Sequence, residues 1–141
     1  MRYLRLLPLL LLLGLPAVRA EMVVVVRADS EISALGKTEV TNIFLGRYRQ
    51  LASGQLAEPI DLPTGSAEHA AFYDTLLNKT SAEIRAYWAR LVFTGRVAPP
   101  RTVDSSERLL EQLLINPRAI GYIERSKADR RLRVVFEVSS R

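Results

Sequence analysis

The sequence predicts an α/β lobe of three layers, in which a mostly parallel sheet is flanked by helices. The first supporting observation is an unbroken apolar run at residues 22–26, because strands covered on both faces of a parallel sheet have this pattern. The second is the order of the segments that follow, since strand-like and helix-like patterns alternate in the first half of the chain. We expect this first strand to be central in the sheet.

Residues 1–20 have the pattern of a secretory signal peptide. Arg2 and Arg5 precede a leucine-rich core that is about half as long as a bilayer span. Residues 21–141 would then be the mature domain of a periplasmic protein, with cleavage before Glu21. Without the three arginines of the leader, the formal net charge falls from +5 to +2, which is too small to indicate a nucleic-acid partner. The chain has no cysteine, so packing alone must stabilise it.

The first half of the chain contains four predicted elements, whose ends are marked by residues typical of turns and helix caps. Gly46 ends a short helix, and a turn at Pro63-Thr64-Gly65 leads to Ser66, which is a good N-cap for the next helix. The predicted elements are a strand at 22–26, a helix at 38–45, a strand at 58–62 and a helix from Ser66 to Asn78.

The second half contains the clearest helix of the sequence. Thr80 and Glu83 form a capping box, and apolar residues follow at 84, 87, 88, 91 and 92, which places them on one face. Asp104 and Glu107 predict a second capping box, followed by a leucine stripe. Strands at 119–123 and 132–138 complete the order β-α-β-α-α-α-β-β, and the last strand alternates with Val134, Phe136 and Val138 on one face.

No residue set indicates catalysis. His69 is the single histidine, and we expect it at the surface in the first turn of its helix. Asp29 and Asp61 are at strand ends, where aspartates usually cap a turn. The sequence contains no phosphate loop, dinucleotide fingerprint or metal-binding cluster. It therefore predicts no enzyme, no catalytic residue, no metal site and no cofactor.

One segment has the pattern of an anion-binding site. Thr64, Gly65 and Ser66 pass from a strand into a helix, where free backbone N–H groups and the positive end of the helix dipole attract anions. Ser30 follows the first strand, and the carboxyl ends of parallel strands meet at one edge of a sheet. The predicted ligand-binding residues are therefore Ser30, Thr64, Gly65 and Ser66. In the alternative interpretation, Ser66 only caps its helix and Ser30 only turns the chain.

Four short segments together resemble the phosphate-binding proteins of ABC transporters. They are Ile-Phe-Leu-Gly at 43–46, Pro-Ile-Asp-Leu at 59–62 leading to Gly-Ser at 65–66, Phe-Thr-Gly at 93–95 with Pro-Pro at 99–100, and Ala-Ile-Gly-Tyr-Ile at 119–123. The resemblance covers residues 23–126. It implies a fold like that of type II periplasmic binding proteins. Members of full length have two lobes, and this chain resembles one of them.

The resemblance also implies a ligand. Family members contact phosphate through an arginine at the end of a strand and a Ser-Gly-Thr turn; Ser66 matches the serine, whereas Leu62 takes the place of the arginine, and Ala67 and Glu68 replace the glycine and threonine. The expected function is weak binding of phosphate or a similar small anion, with an ABC transporter as partner. The alternative is an envelope protein interaction module that keeps the lobe without binding phosphate, including a homodimer that rebuilds the cleft.

Overall fold

A mixed sheet forms the centre of the computed structural model, which describes Gly14, residues 20–95 and residues 97–139. Within these residues the sheet has five strands in the order β3-β2-β4-β1-β5. Their bounds are β1 (Met22–Arg27), β2 (Glu58–Asp61), β3 (Arg101–Thr102), β4 (Ala119–Glu124) and β5 (Leu132–Glu137). The two-residue strand β3 was not predicted from the sequence.

Strand β1 runs against the rest of the sheet. It pairs antiparallel with β4 and with β5, whereas β2 pairs parallel with β3 and with β4. Four strands therefore share one direction, so the expectation of a mostly parallel sheet is right for them and wrong for β1. The middle position belongs to β4, although β1 is internal and its residues 22–26 are buried as the apolar run predicts.

The described part of the chain has four helices, which are α1 (Lys37–Phe44), α2 (Ala67–Leu77), α3 (Ser81–Phe93) and α4 (Ser106–Ile115). Of these, α1, α2 and α4 pack on the sheet, and α3 packs against α2. Neighbouring residues of β4 show the layering, because successive side chains of a strand point to opposite faces. Gly121 faces Leu109 of α4, whereas the ring of Tyr122 contacts Phe44 of α1 and Phe72 of α2. The predicted three-layer α/β lobe is confirmed.

Local caps define several helix ends where the sequence predicts them. The Ser66 hydroxyl accepts a hydrogen bond from the His69 N–H, Thr80 and Glu83 form the capping box of α3, and Asn78 ends α2 in the left-handed region. The box predicted at Asp104 is wrong, since Ser105 caps α4 by accepting from the Arg108 N–H. A hydroxyl one residue later therefore takes the role that the carboxylate was expected to have.

A bulge in β5 changes the face that it buries. Val24 pairs with Phe136 and Val25 with Val134, so Val135 is an extra residue between them. Such an insertion moves the following side chains to the other face. The core receives Leu132, Val135 and Val138, whereas Val134 is exposed and Phe136 is partly buried against the core. The alternation therefore predicts the strand correctly and places Val138 correctly, but the bulge puts Val135 in the core and leaves Val134 outside it.

The predicted signal peptide lies outside the described residues, apart from Gly14 and Ala20. Among the residues that are described, no helix combines the length and apolar character that crossing a bilayer requires.

Gly46, which follows α1, is under a double constraint that a substitution would reveal. Its φ is +71°, and a Cβ there would lie 2.8 Å from Cη2 of Trp88 and 3.0 Å from Cγ1 of Val97. We expect Gly46→Ala to lower the free energy of unfolding by about 1–3 kcal/mol more than Gly54→Ala, because overpacking adds to the left-handed strain. Gly54 is the matched control, since its φ is +89° and its Cβ would meet nothing within 4 Å. Equal losses in urea unfolding would refute the steric account.

Candidate functional site

The structure separates Ser30 from the other predicted ligand-binding residues. Because β1 runs antiparallel to β4, its carboxyl end lies at the edge where β2 and β4 begin. The Ser30 hydroxyl donates to the Pro117 carbonyl (2.6 Å) and accepts from the Ile32 N–H (3.2 Å). The expectation that Ser30 joins Thr64 and Ser66 is therefore wrong, and Ser30 is buried in a turn at the opposite edge.

Thr64, Gly65 and Ser66 follow the carboxyl end of β2, but they differ in what they can offer a ligand. Ser66 uses its hydroxyl internally, donating to the Pro63 carbonyl (2.7 Å) and capping α2. Gly65 is exposed. Thr64 lines a cavity beside the strand end. Of the predicted residues, Thr64 is therefore the one that lines this cavity.

Asp61, the last residue of β2, holds a buried hydrogen-bond network. Its carboxylate accepts from the Tyr73 hydroxyl (2.6 Å), from the Tyr122 hydroxyl and from the Leu62 N–H (2.8 Å). The side chain is only 5% exposed. Asp61 is thus a core acceptor that joins β2, α2 and β4, and not the turn cap that its position suggested.

Burial is the main influence on the Asp61 carboxyl. Burial raises the pKa above the ordinary value of 3.8, while the hydrogen bonds from Tyr122 and Tyr73 lower it, as does His69 when its ring is protonated. The pKa of Tyr73 and of Tyr122 is also raised, first by burial and then by the adjacent carboxylate. Both tyrosines therefore remain neutral hydrogen-bond donors at physiological pH.

A cavity of about 190 Å³ opens at the carboxyl ends of β2 and β3, next to α3. Pockets that hold drug-sized ligands are about 300–1,000 Å³, so this space suits a small ion with some water. Its polar lining residues are Asp61, Thr64, His69, Arg85 and Thr102, and its apolar ones are Leu62, Ile84, Trp88, Pro99 and Pro100.

Arg85 and His69 are the basic groups of this cavity. The Arg85 side chain makes no hydrogen bond or ion pair with the described residues, so its guanidinium is available to a ligand. His69 is buried, contrary to the surface position expected for it, and its Nδ1 lies 3.0 Å from the Ser81 hydroxyl. Burial lowers the pKa of His69, Asp61 raises it, and Arg85 lowers it further. The net direction makes His69 neutral at pH 7.

The His69–Ser81 contact does not have the arrangement of a catalytic triad. In a triad, the second ring nitrogen of the histidine donates to a carboxylate, whereas both Asp61 oxygens are engaged by tyrosines and a backbone N–H. Ser81 lines a different pocket from the one that His69 lines. In the described part of the chain, no group of histidine, aspartate and glutamate side chains could hold a metal ion.

Two residues differ from the pattern of the family that the sequence resembles, and they lie in different places. Leu62 is 2% exposed and forms an apolar wall of the cavity. Glu68 points elsewhere, since it lines a separate pocket beside α2 and lies 3.9 Å from Lys127 Nζ. The carboxylate of Glu68 therefore does not line this cavity.

No family model and no curated protein matches the sequence, but solved structures match the fold. An ABC-type phosphate transport receptor from Vibrio cholerae aligns with a TM-score of 0.63 at 14% identity, over 82% of this chain and 45% of that chain. PstS from Borrelia burgdorferi aligns with a TM-score of 0.55 at 18% identity, over 74% and 40%. This chain therefore has the fold of one lobe of these two proteins. The lobe spans less than half the length of either protein.

Sequence reasoning missed Asp61, His69 and Arg85 as members of the site. The resemblance placed the phosphate contacts at the β2–α2 turn, whereas the cavity is completed by α3 and by the approach to β3. Arg85 follows the buried Ile84 in α3, and the prediction of this helix used only its capping box and its apolar residues. The arginine beside those apolar residues was the one sequence feature that could have indicated the cavity.

Proposed function

We propose that this lobe binds a small oxyanion such as phosphate in the cavity at the carboxyl ends of β2 and β3, and that it acts as a binding module and not as an enzyme. The observation that carries the proposal is the position of Arg85, which lines a small cavity and makes no hydrogen bond or ion pair with the described residues. Thr64 and Thr102 line the same cavity. A guanidinium with hydroxyl donors is the donor set that oxyanions favour.

The expected affinity is low. One charge-assisted hydrogen bond contributes about 1.5–3 kcal/mol and each hydroxyl about 0.5–1.5 kcal/mol. Their combined effect is roughly 4 kcal/mol, which corresponds to a Kd of about 1 mM. Leu62 supplies no charge where related proteins have an arginine, and the lobe alone encloses the ion on one side. Weak binding is therefore consistent with the residues present.

Isothermal titration with phosphate and with sulfate tests this function. We expect saturable heat near millimolar anion, and we expect Arg85→Ala to weaken the affinity about tenfold to a hundredfold, because it removes the one cation with direct access to the ion. Arg90→Ala is the matched control, since it removes the same charge from the same helix outside the cavity.

Two outcomes would contradict the oxyanion proposal. Equal weakening by Arg85→Ala and Arg90→Ala would show attraction by net charge and not a site. Absence of heat at about 10 mM anion, well above the expected Kd, would favour the second candidate, an envelope protein interaction module.

The cellular setting belongs to the same proposal. Residues 1–20 would direct export to the periplasm, and the lobe would meet an ABC transporter or another envelope protein there. A homodimer that closes two lobes around one anion is a variant, because a second copy could cover the open side of the cavity near Thr64 and Arg85.

A further inference from the structure

A second concave surface lies on the other side of α3 from the oxyanion cavity. This groove has a volume of about 630 Å³ and lies between α3 and the end of α1. Leu45, Leu77 and Ile84 give it an apolar floor, and Ala86 and Tyr87 of α3 line it as well. Its volume falls in the range of pockets that bury most of a ligand.

The groove is preformed. The Tyr87 hydroxyl donates to the Leu45 carbonyl at 2.7 Å, which fastens α3 to the end of α1. Leu45 and Ile84 are buried in the core, so the floor is fixed by the fold. A surface held in this way loses little conformational freedom when it is occupied, which favours binding.

Positive charge dominates the rim. Arg47, Lys79 and Arg90 line the groove with one acidic residue, Glu83. Glu83 lies 3.7 Å from Lys79 in an exposed pair, whereas Arg47 donates to the neutral Asn42 amide. Arg90 makes no hydrogen bond or ion pair with the described residues. An occupant that satisfies these cations must be acidic.

An exposed aromatic side chain extends the same face of α3. Phe93 is 95% exposed, and it follows Ala86 and Arg90 at the i+7 and i+3 spacings that share one side of a helix. Val92 beside it is 50% exposed. A phenylalanine left in water next to a charged groove is typical of an interaction surface.

We propose that this groove binds an acidic amphipathic segment of a partner protein. The apolar floor would contact the apolar side chains of the segment, Arg47 and Arg90 would pair with its carboxylates, and Phe93 would be covered at the end. A concave groove fits a peptide segment better than a lipid surface. A two-fold symmetric dimer through this face would bring Arg90 of both copies together, and like charges oppose it.

Fluorescence anisotropy with a designed probe tests the proposal. The probe is a labelled helical peptide of about 15 residues, with leucine and phenylalanine on one face and glutamate on the other; its counterpart has lysine in place of glutamate. We expect the acidic peptide to bind the full protein at least about tenfold more tightly than its counterpart. We also expect its affinity to fall several-fold as the salt concentration rises.

Matched variants locate the binding. We expect Arg90→Glu to lower the affinity for the acidic peptide about tenfold. Arg118→Glu makes the same charge change at an exposed position outside the groove, and we expect it to leave this affinity nearly unchanged. Ala86→Trp should block the groove, and Ala70→Trp, at an exposed position of α2, should not. Circular dichroism confirms that each variant is folded.

Several results would overturn the proposal. They are equal affinity for the acidic and lysine peptides, equal effects of Arg90→Glu and Arg118→Glu, and retention of full affinity by Ala86→Trp. Binding to phosphatidylglycerol vesicles without binding to the peptide would assign the face to a membrane, and concentration-dependent dimerisation abolished by Ala86→Trp would assign it to a second copy.

Discussion

Asp61→Ala is expected to lower the free energy of unfolding by about 2–6 kcal/mol. The substitution removes the acceptor of the Tyr73 and Tyr122 hydroxyls, and each buried donor left without a partner costs about 1–3 kcal/mol. Domains of this size have total stabilities of about 5–15 kcal/mol, so the variant would unfold at far lower urea concentrations. Chemical denaturation followed by circular dichroism measures the loss.

Two milder variants separate the contributions of the Asp61 carboxylate and of one tyrosine hydroxyl to stability. Asp61→Asn retains one oxygen acceptor, so we expect a smaller loss than for alanine. Tyr73→Phe removes one donor together with its bond, which we expect to cost about 1 kcal/mol. If Asp61→Ala were no more destabilising than Tyr73→Phe, the carboxylate would not be the centre of the network.

The pH dependence of the same residue has a defined sign. Because burial raises the pKa of Asp61 in the folded protein above its ordinary value of 3.8, the folded state binds the proton more tightly than the unfolded state. The contribution of the Asp61 proton to stability is therefore complete below pH 3.8 and is lost as the pH rises through the raised pKa of the folded state. The stability of the wild type relative to Asp61→Asn should therefore decline as the pH rises above 3.8; a stability difference that increases with pH would contradict the assigned direction.

Local signals made parts of the fold predictable. Ser66 and Thr80 cap their helices through partners three residues away, so the sequence contains the whole interaction. The apolar run at 22–26 likewise needs no knowledge of its neighbours to indicate a strand buried on both faces. The apolar run does not indicate the direction of the strand, because a strand covered on both faces has the same pattern whether it is parallel or antiparallel to its neighbours.

Distant contacts explain what sequence reasoning missed. Asp61 depends on Tyr122, 61 positions away, and only the sheet brings them together. The bulge at Val135 depends on the pairing of β5 with β1. The β2–α2 turn that contains Thr64 lies where the sequence predicts it, because a turn between adjacent elements is local, whereas Ser30 was misplaced because its position depends on the direction of β1.

Phe72→Ala is expected to destabilise the protein by about 3–5 kcal/mol. Phe72 is fully buried, and its ring stacks on Tyr122 with centroids 3.9 Å apart and contacts the edge of Phe44 at 5.0 Å. Removing it leaves a cavity at the centre of the aromatic cluster, and both lost burial and the void contribute to the cost. The urea midpoint of unfolding measures the change.

Phe93→Ala is the matched control, because it makes the same substitution at a side chain that is 95% exposed. We expect its effect on stability to stay within about 0.5 kcal/mol. Phe72→Leu should lie between the two, since it keeps most of the buried volume. The cluster also positions the Tyr122 hydroxyl on Asp61, so Phe72→Ala should weaken oxyanion binding as well, while Phe93→Ala should not. Comparable stability losses for the two alanine variants would show that the aromatic stack does not hold the site together.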